Sequence, residues 1–376
     1  MKRLFTKFAV VCFFINNFRV EAGDIVFVDV GQGNTTLVRF RGESPLIIDS
    51  GSIQLRGKTK IERNNFKSLA VIEIRKKIES FLLPFKKSED SYDLNVVISH
   101  EHEDHYNLIA PLFENDWMKQ KKIGFILGGK KTHYDLKRES KKLLRVVERY
   151  QTTQIFAENF TSEDMLPDFG YPGNLFKIIT APTYESADPN DYSVVLRVQV
   201  GNSGCLLTGD ATGMVTSHIL ARYNTRLGQL GSTIYQASHH GSSSHDSNNQ
   251  IFIDTIKPEY AIFSSGTKYN HPSDVVVKKV MSYVQKEPKY HILRYYPSDS
   301  STSGIVDDQD KTKCTHYKST LTSGYVFSVT KMRIFNTQDQ RTLSFLIDAT
   351  SLENSISHAG IVKDDANEFT EIDIEE

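Results

Sequence analysis

The sequence predicts an α/β fold in which two β-sheets face each other and helices cover their outer sides. Three observations carry that expectation. Short apolar runs recur between Ile25 and Ser265, separated by helix-period stretches, in two successive series of strands followed by helices. A chain of 376 residues with 39% hydrophobic content can bury a large core. Several of the apolar runs also end in Asp or His clusters, as loops gathered on one edge of a layered α/β fold do.

Taken in order, Ile25 to Val30 is a strand that stops at Gly31-Gln32-Gly33-Asn34 and restarts at Thr35 to Phe40. A third strand, Pro45 to Ile48, runs into Asp49-Ser50-Gly51, so the chain opens with an antiparallel arrangement. The Gly-x-Gly turn is either a simple hairpin or a place where backbone crowds a ligand. After a basic loop, Val71, Ile74, Ile78, Phe81 and Leu82 fall at helical spacing, and Pro84 ends that helix. Leu94 to Ile98 is a buried strand, a helix continues through Tyr106 to Phe113, and Ile123 to Leu127 is the next strand. Leu136 to Tyr150 is a Lys-rich helix whose basic face is either solvated or turned toward phosphates. Ile155-Phe156, Phe176 to Ile179, Tyr192 to Val198 and Cys205 to Leu207 read as strands, and the last of these ends in Thr208-Gly209-Asp210. A helix from Met214 to Tyr223 precedes the strand Ile234 to Ser238, which closes on His239-His240-Gly241-Ser242. A helix near Asn248 to Ile256 leads to Tyr260 to Ser265 as the last core strand, before Asn270-His271-Pro272.

Lys plus Arg (45) and Asp plus Glu (46) nearly cancel. No global field draws the chain to nucleic acid or acidic lipid, and any affinity for a polyanion is local. The first 22 residues stand apart: Lys2, Arg3 and Lys7 precede the apolar Phe8 to Ile15, and Val20-Glu21-Ala22 offers a cleavage position. That layout is a secretory signal peptide, although Asn16, Asn17 and Arg19 suit cleavage poorly and a plain N-terminal helix is the competing reading. Cleavage implies a secreted or periplasmic protein, retention a cytoplasmic one. No other run reaches transmembrane length, so no integral membrane domain is expected. Cys205 and Cys314, the cysteines beyond the leader, make no disulfide framework. Residues 300–316 read as an inserted loop and the tail from Lys363 as acidic and solvated. Nothing in the composition fixes an oligomeric state.

The chemistry concentrates in Ser99-His100-Glu101-His102-Glu103-Asp104-His105. In an extended backbone His100, His102 and Asp104 project to one side, and a helix starting at Asp104 swings His105 round beside them. Imidazoles with a carboxylate are the ligand set for zinc or manganese, and this arrangement suits two ions better than one. The plain alternative is a solvated, charge-rich loop. Asp49, Asp210, His239-His240 and His271 each follow an apolar strand, and convergence of separate segments is stronger evidence than any one alone.

These segments resemble the metallo-β-lactamase superfamily over roughly residues 24–335, and most closely the β-lactamase-like domain of competence DNA-uptake channel proteins. The resemblance rests on Phe27-Val28-Asp29-Val30-Gly31-Gln32-Gly33, Ile48-Asp49-Ser50-Gly51, His100-x-His102-x-Asp104-His105, Asn190-x-x-Ser193, Leu207-Thr208-Gly209-Asp210, His239-His240-Gly241-Ser242 and Asn270-His271-Pro272, with Ser319 to Val326 resembling that domain's final hairpin. It implies an αβ/βα four-layer sandwich with two mixed sheets and outer helices. The implied domain limits are a leader at 1–22, the metallo-β-lactamase-like domain at 23–335, and a strand with the acidic tail at 336–376.

By position, the resemblance makes His100 and His102 ligands of one divalent ion, Zn2+ or Mn2+, and Asp104 and His105 ligands of a second. Asp210 would bridge the two, and one of His239 and His240 would complete the second site. The superfamily usually supplies another histidine between the main cluster and the bridging Asp. Here that region offers Asp188, Asn190 and Asp191, while His133 sits in the wrong segment. An oxygen-richer first site favours manganese or partial occupancy. Asn34 stands where the competence domain commonly has Asp.

Paired divalent ions bring the pKa of a bound water towards neutrality, which implies a metal-dependent hydrolase. Asp104 and Asp210 would orient that water, and His271 or the second histidine of the pair would donate to the developing oxyanion, with strand capping as the plain reading of His271. Asp49, Asn190 and Ser242 would support the site or the substrate. The expected substrate is a phosphodiester, DNA or RNA, with the basic surface of residues 119–145 and the Ser242 to Ser244 hydroxyls meeting phosphate. The competing readings are a hydrolase of lactones, thioesters or lactams, and a degenerate module that binds metal or nucleic acid without turnover.

Overall fold

Alternation at period two sorts the strand side chains into opposite faces, and neighbouring residues go to different cores. The computed structural model describes residues 23–281 apart from 54–58, 83–92, 151–154, 157–175, 181–184 and shorter gaps. It also describes the strand segments 290–295, 315–318, 325–330, 334–336 and 343–347. The expected leader, the tail from Lys363 and residues 300–314 of the loop expected over 300–316 lie outside the described residues, while Thr315 and His316 of that loop begin a strand, Thr315–Lys318.

The first series of strands is β1 (Gly23–Phe27), β2 (Thr35–Phe40), β3 (Leu46–Ser50), β4 (Leu94–Ile98), β5 (Ile123–Leu127) and β6 (Ile155–Phe156). The second is β7 (Phe176–Thr180), β8 (Val195–Val200), β9 (Ser203–Leu207), β10 (Ile234–Gln236) and β11 (Tyr260–Phe263). Then follow β12 (Tyr290–Tyr295), β13 (Thr315–Lys318), β14 (Tyr325–Thr330), β15 (Ile334–Asn336) and β16 (Leu343–Ile347). One sheet runs β16-β1-β2-β3-β4-β5-β6, the other β15-β11-β10-β9-β8-β7, and β12-β14-β13 form a small third sheet. Each large sheet is mixed. The β3-β4-β5-β6 pairs are parallel, as are β9-β10, β10-β11 and β11-β15, while β16-β1-β2-β3 and β7-β8-β9 pair antiparallel.

Three buried clusters mark three interfaces between four layers. Ile47, Val96 and Phe125 pack outward on helices α1 (Lys60–Leu82), α3 (Ile109–Phe113) and the helix Arg138–Arg149, through Ile74, Ile78, Phe113, Leu143 and Val147. Their neighbours Ile48, Val97 and Ile126 face Leu196, Leu207, Ile234 and Ile262 of the other sheet. On the far side Val195, Leu206, Tyr235 and Ala261 meet Ile219, Phe252 and Val277 of the helices Gly213–Arg222, Gln250–Ile256 and Asp274–Met281. Helix, sheet, sheet, helix is the αβ/βα sandwich expected from the sequence. No helix among the described residues is long and apolar enough to cross a membrane.

Three details differ from the expectation. The helix over Tyr106 to Phe113 is two pieces, α2 (Glu103–Tyr106) and α3. Pro111 has no N–H to give the Asn107 carbonyl. Asn107 and Leu108 bond instead to Ser52 and Ser50, which pins this loop to the end of β3. The strand expected from Tyr192 begins at Val195, because Pro189–Tyr192 forms a 3-10 turn first. Tyr260 to Ser265 is not the last core strand either: β15 extends its sheet beside β11, and β16 pairs with β1 at the opposite sheet's edge. The sheet therefore takes a strand from beyond residue 335. β13 and β14 pair as the expected final hairpin, although their connecting residues are outside those described.

This topology sends the C-terminal ends of β3, β4, β9, β10 and β11 to one edge. Val194 N donates to Ser99 O at 2.8 Å across the two sheets, and Gln236 Nε2 reaches Asn34 Oδ1 at 2.5 Å. A Cβ on Gly51 would fall inside the Asp104–His105 peptide. We predict that Gly51→Ala lowers stability by about 2–3 kcal/mol through overpacking. Gly228→Ala, where a Cβ meets nothing within 4 Å, stays within about 0.5 kcal/mol. Urea midpoints of the two variants check both.

Candidate metal centre

After β4 the backbone bends at His100 and Glu101 and is extended again at His102, just before the helix begins. His100 and His102 turn to one side with ring centroids 4.7 Å apart. Glu101 turns away, buried, onto the half-buried His133 Nδ1. Glu101 therefore belongs to a separate pair, and burial raises its pKa against the opposing pull of His133. From Glu103 the backbone is helical and brings Asp104 and His105 round together.

Two groups of side chains of metal-ligating type result: His100, His102 and Asp210, and Asp104, His105 and His240. Asp210 divides its carboxylate between them. Its Oδ1 lies 3.1 Å from His105 Nε2 and 3.5 Å from His240 Nε2, while its Oδ2 lies 3.8 Å from His100 Nε2 and 3.7 Å from His239 Nε2. His240 Nε2 is also 3.2 Å from Asp104 Oδ2. Gly209, at φ +51, permits this approach, since a Cβ there would strike Ser99.

The outer nitrogens fix the tautomers. Asp49, wholly buried at the end of β3, takes Ser99 N at 2.6 Å and Asn34 Nδ2 at 2.9 Å, and its Oδ2 accepts from His105 Nδ1 at 2.7 Å. Ser99 Oγ gives its proton to Asp49 at 2.9 Å, so at its 3.1 Å contact with His100 Nδ1 it accepts. His240 Nδ1 donates to the Ser264 carbonyl at 2.6 Å. The inner nitrogens of His100, His105 and His240, with Asp210 Oδ1, are buried and make no hydrogen bond. Imidazoles held by one nitrogen with the other directed at carboxylates are arranged as metal ligands are, and this set fits a pair of divalent cations.

Burial alone would lower the pKa of His105, but the Asp210 and Asp49 carboxylates outweigh it and hold the group well above the ordinary imidazole range. His240 is raised in the same way, against burial, by Asp210 and Asp104. Asp210 sits well below the usual carboxylate range: burial opposes this, and His105, His240 and His239 overcome it. Burial lowers His100, His102 and His239.

The remaining sequence-derived residues stand farther out. His271 lies beside the histidine pair, with centroids 6.1 Å from His239 and 6.4 Å from His240, and burial pushes it down to about 4. It is a neutral imidazole at pH 7. Asn190 is buried; its backbone N donates to Asp188 Oδ1 and its side-chain Oδ1 has no hydrogen-bond partner. Ser242 is not an open hydroxyl for phosphate, because it is buried and its Oγ is joined to Ser244 Oγ at 2.6 Å. Sequence reasoning gave no role to Ser99, although it opens the histidine run, and missed Gln236 and the Ser264 carbonyl, which no motif marks; only placement behind the ligands gives the three a role.

No family model matches the chain. It is similar to competence protein ComA of Neisseria gonorrhoeae, 32% identical over 110 residues, which is 29% of this chain and 15% of that protein. It is also similar to ComE operon protein 3 of Bacillus subtilis, 23% identical over 291 residues (74% of this chain, 32% of that protein). Recombination protein 2 of Haemophilus influenzae is 25% identical over 258 residues, covering 68% of this chain and 26% of that protein. The chain thus spans about a third or less of the length of these relatives. Among solved structures, CmlA, a diiron beta-hydroxylase from Streptomyces venezuelae, overlaps with a TM-score of 0.34 at 11% identity, over 69% of this chain and 51% of that one.

Two outcomes follow. A cation entering the site must displace the protons that His105 and His240 retain above the ordinary imidazole range, so metal affinity falls as pH is lowered and binding near neutrality releases protons. Titration calorimetry in buffers of different ionisation enthalpy measures that release. Asp49→Asn removes the charged acceptor behind His105, and metal affinity drops about 10–100-fold with secondary structure retained by circular dichroism.

Proposed function

We propose that this protein is a metal-dependent phosphodiesterase of the metallo-β-lactamase superfamily that cleaves DNA or RNA. The observation that carries the reading is the Asp210 carboxylate, with one oxygen toward His105 and His240 and the other toward His100 and His239. His100, His102, Asp104, His105, His240 and Asp210 would hold the ions, with zinc and manganese both suited to nitrogen and carboxylate donors. When bound, such a pair supplies Lewis acidity at the scissile group and a nucleophilic water at neutral pH.

The chain's own residues supply the rest. Asp104 and Asp210, kept ionised by their histidine neighbours, orient the attacking water as hydrogen-bond acceptors. His271, neutral and half-buried at the rim, offers an N–H to the charge that develops on the substrate oxygen. Phosphate recognition is assigned to the face formed by Lys131–Tyr134 and the helix Arg138–Arg149, where Lys131, Lys137, Arg138, Lys141, Arg145 and Arg149 are exposed. Lys137 is close enough to bias both Glu101 and His102, so this basic ground borders the site. The names of the competence and recombination relatives favour nucleic acid over a small ester or lactam. The leader expected over residues 1–22 would carry the activity out of the cytoplasm.

With manganese or zinc, the wild-type protein is expected to cleave a labelled oligonucleotide, and Asp104→Ala and Asp210→Ala to lose at least about a thousandfold in rate. Nitrocefin and a homoserine lactone should remain intact. Turnover of either small substrate without oligonucleotide cleavage would overturn the substrate class, and nucleic-acid binding without cleavage in both metals would leave a binding module.

A further inference from the structure

We infer that the two adjacent histidines serve different halves of the centre: His240 belongs with Asp104 and His105, while His239 completes the half formed by His100 and His102. It takes the place of the histidine that the resemblance expects between the main cluster and Asp210. The inference rests on the paired-metal reading above.

Distances to one carboxylate make the division. His239 Nε2 and His100 Nε2 stand 3.7 Å and 3.8 Å from the same atom, Asp210 Oδ2, whereas His240 and His105 are nearest its Oδ1. Ligand atoms about 2.0–2.2 Å from a shared cation lie roughly 3–4 Å apart, and toward Asp210 Oδ2 His239 meets that spacing as His100 does, while His100, His102 and Asp210 form the group whose ligand atoms all lie within 4.8 Å of one another.

The backbone is shaped to the same end. His239 (φ 50, ψ 47) and His240 (φ 57, ψ 17) are both left-handed, a conformation unfavourable for residues carrying a Cβ and tolerated where the surroundings enforce it. The surroundings do so here. His239 N bonds to Gly209 O, Ser242 N to His239 O, and Asn248 holds both Ser238 N and Ser238 O. The two rings consequently diverge, with centroids 6.2 Å apart and planes at 61°. One ligand alone would need only an ordinary strand end. Two successive left-handed residues put one ring on each side of Asp210.

The segment that would otherwise supply the ligand is occupied. Asp188 binds His245 Nδ1 through Oδ2 and Asn190 N through Oδ1. Asp191 takes the hydroxyls of Thr212 and Ser186. Asn190 Oδ1, buried and unpartnered, is the rival. With His239 the first half becomes three imidazoles and a carboxylate, matched to zinc as well as manganese, which reverses the oxygen-rich expectation from the sequence.

The test counts metal without reference to activity. The full chain is loaded with Co2+, freed of excess, and assayed for cobalt per chain, for its visible spectrum and for Co2+ affinity by competition with a chelator. His239→Gly is the informative variant, since glycine accepts φ 50 without strain; Asn190→Ala and His239→Asn accompany it. The expected result is two ions in wild type and in Asn190→Ala. In His239→Gly and His239→Asn one ion is retained and the other is weakened by more than the ten- to hundredfold that an outer-shell partner costs. Two ions of unchanged affinity in both His239 variants, or selective loss of one ion in Asn190→Ala, would overturn the assignment while leaving the paired centre intact. A wild-type chain that takes up no cobalt would overturn both.

Discussion

Asp210 is a carboxylate almost wholly withdrawn from water, with four imidazoles around it that arrive on two separate loops. A buried charge is tolerable only when paired, so the loops after β4, β9 and β10 must meet at a fixed distance or all be destabilised together. Much of the architecture near that edge serves this one meeting. Parallel pairing of β9 with β10 sets Asp210 beside the histidine pair, the Val194–Ser99 hydrogen bond holds the two sheets in register, and Gly209 removes the Cβ that would keep them apart.

Behind the ligands lies a continuous polar chain that crosses the sandwich. Gln236 on β10 donates to Asn34, Asn34 donates to Asp49, and Asp49 accepts from His105. An amide at position 34 is the group that can accept on one side and donate on the other. An aspartate at this position would confront Asp49 with a second carboxylate. Asn34 is therefore locally consistent with Gln236 rather than a lost function, and the role it plays is a neutral relay. Among Gln236, Asn34 and Asp49, Gln236 Oε1 is the one side-chain polar atom that is buried and makes no hydrogen bond.

How far the site could be read beforehand differs from residue to residue. The metal-ligating character of His100, His102, Asp104 and His105 is legible from residue type and close spacing, and the helix start at Glu103 brings Asp104 and His105 round together, although the run before it is bent at His100 and Glu101 rather than extended as the spacing suggests. Glu101 is absent from the cluster because the chain bends at His100 and Glu101 and the Glu101 carboxylate is taken up by His133. The four layers were legible from apolar runs and their order. The break at Asn107, the strand β15 and the place of the strand expected within 336–376, which is β16 beside β1, were not. The first depends on side-chain bonds to a distant loop, and the other two on short segments whose strand character comes from the sheet edges they join.

Sequence by itself determined the kinds of donor present, their position at strand ends, and the alternation that sends one residue inward and the next outward, because these follow from local covalent geometry and hydrophobic period. Tertiary structure decided which donors share a partner. Asp210 and the histidine pair are remote from His100 along the chain, and the side of Asp210 that each imidazole faces is set by sheet register and by the left-handed backbone at His239 and His240. Those are consequences of packing two sheets together, which no local stretch of residues encodes.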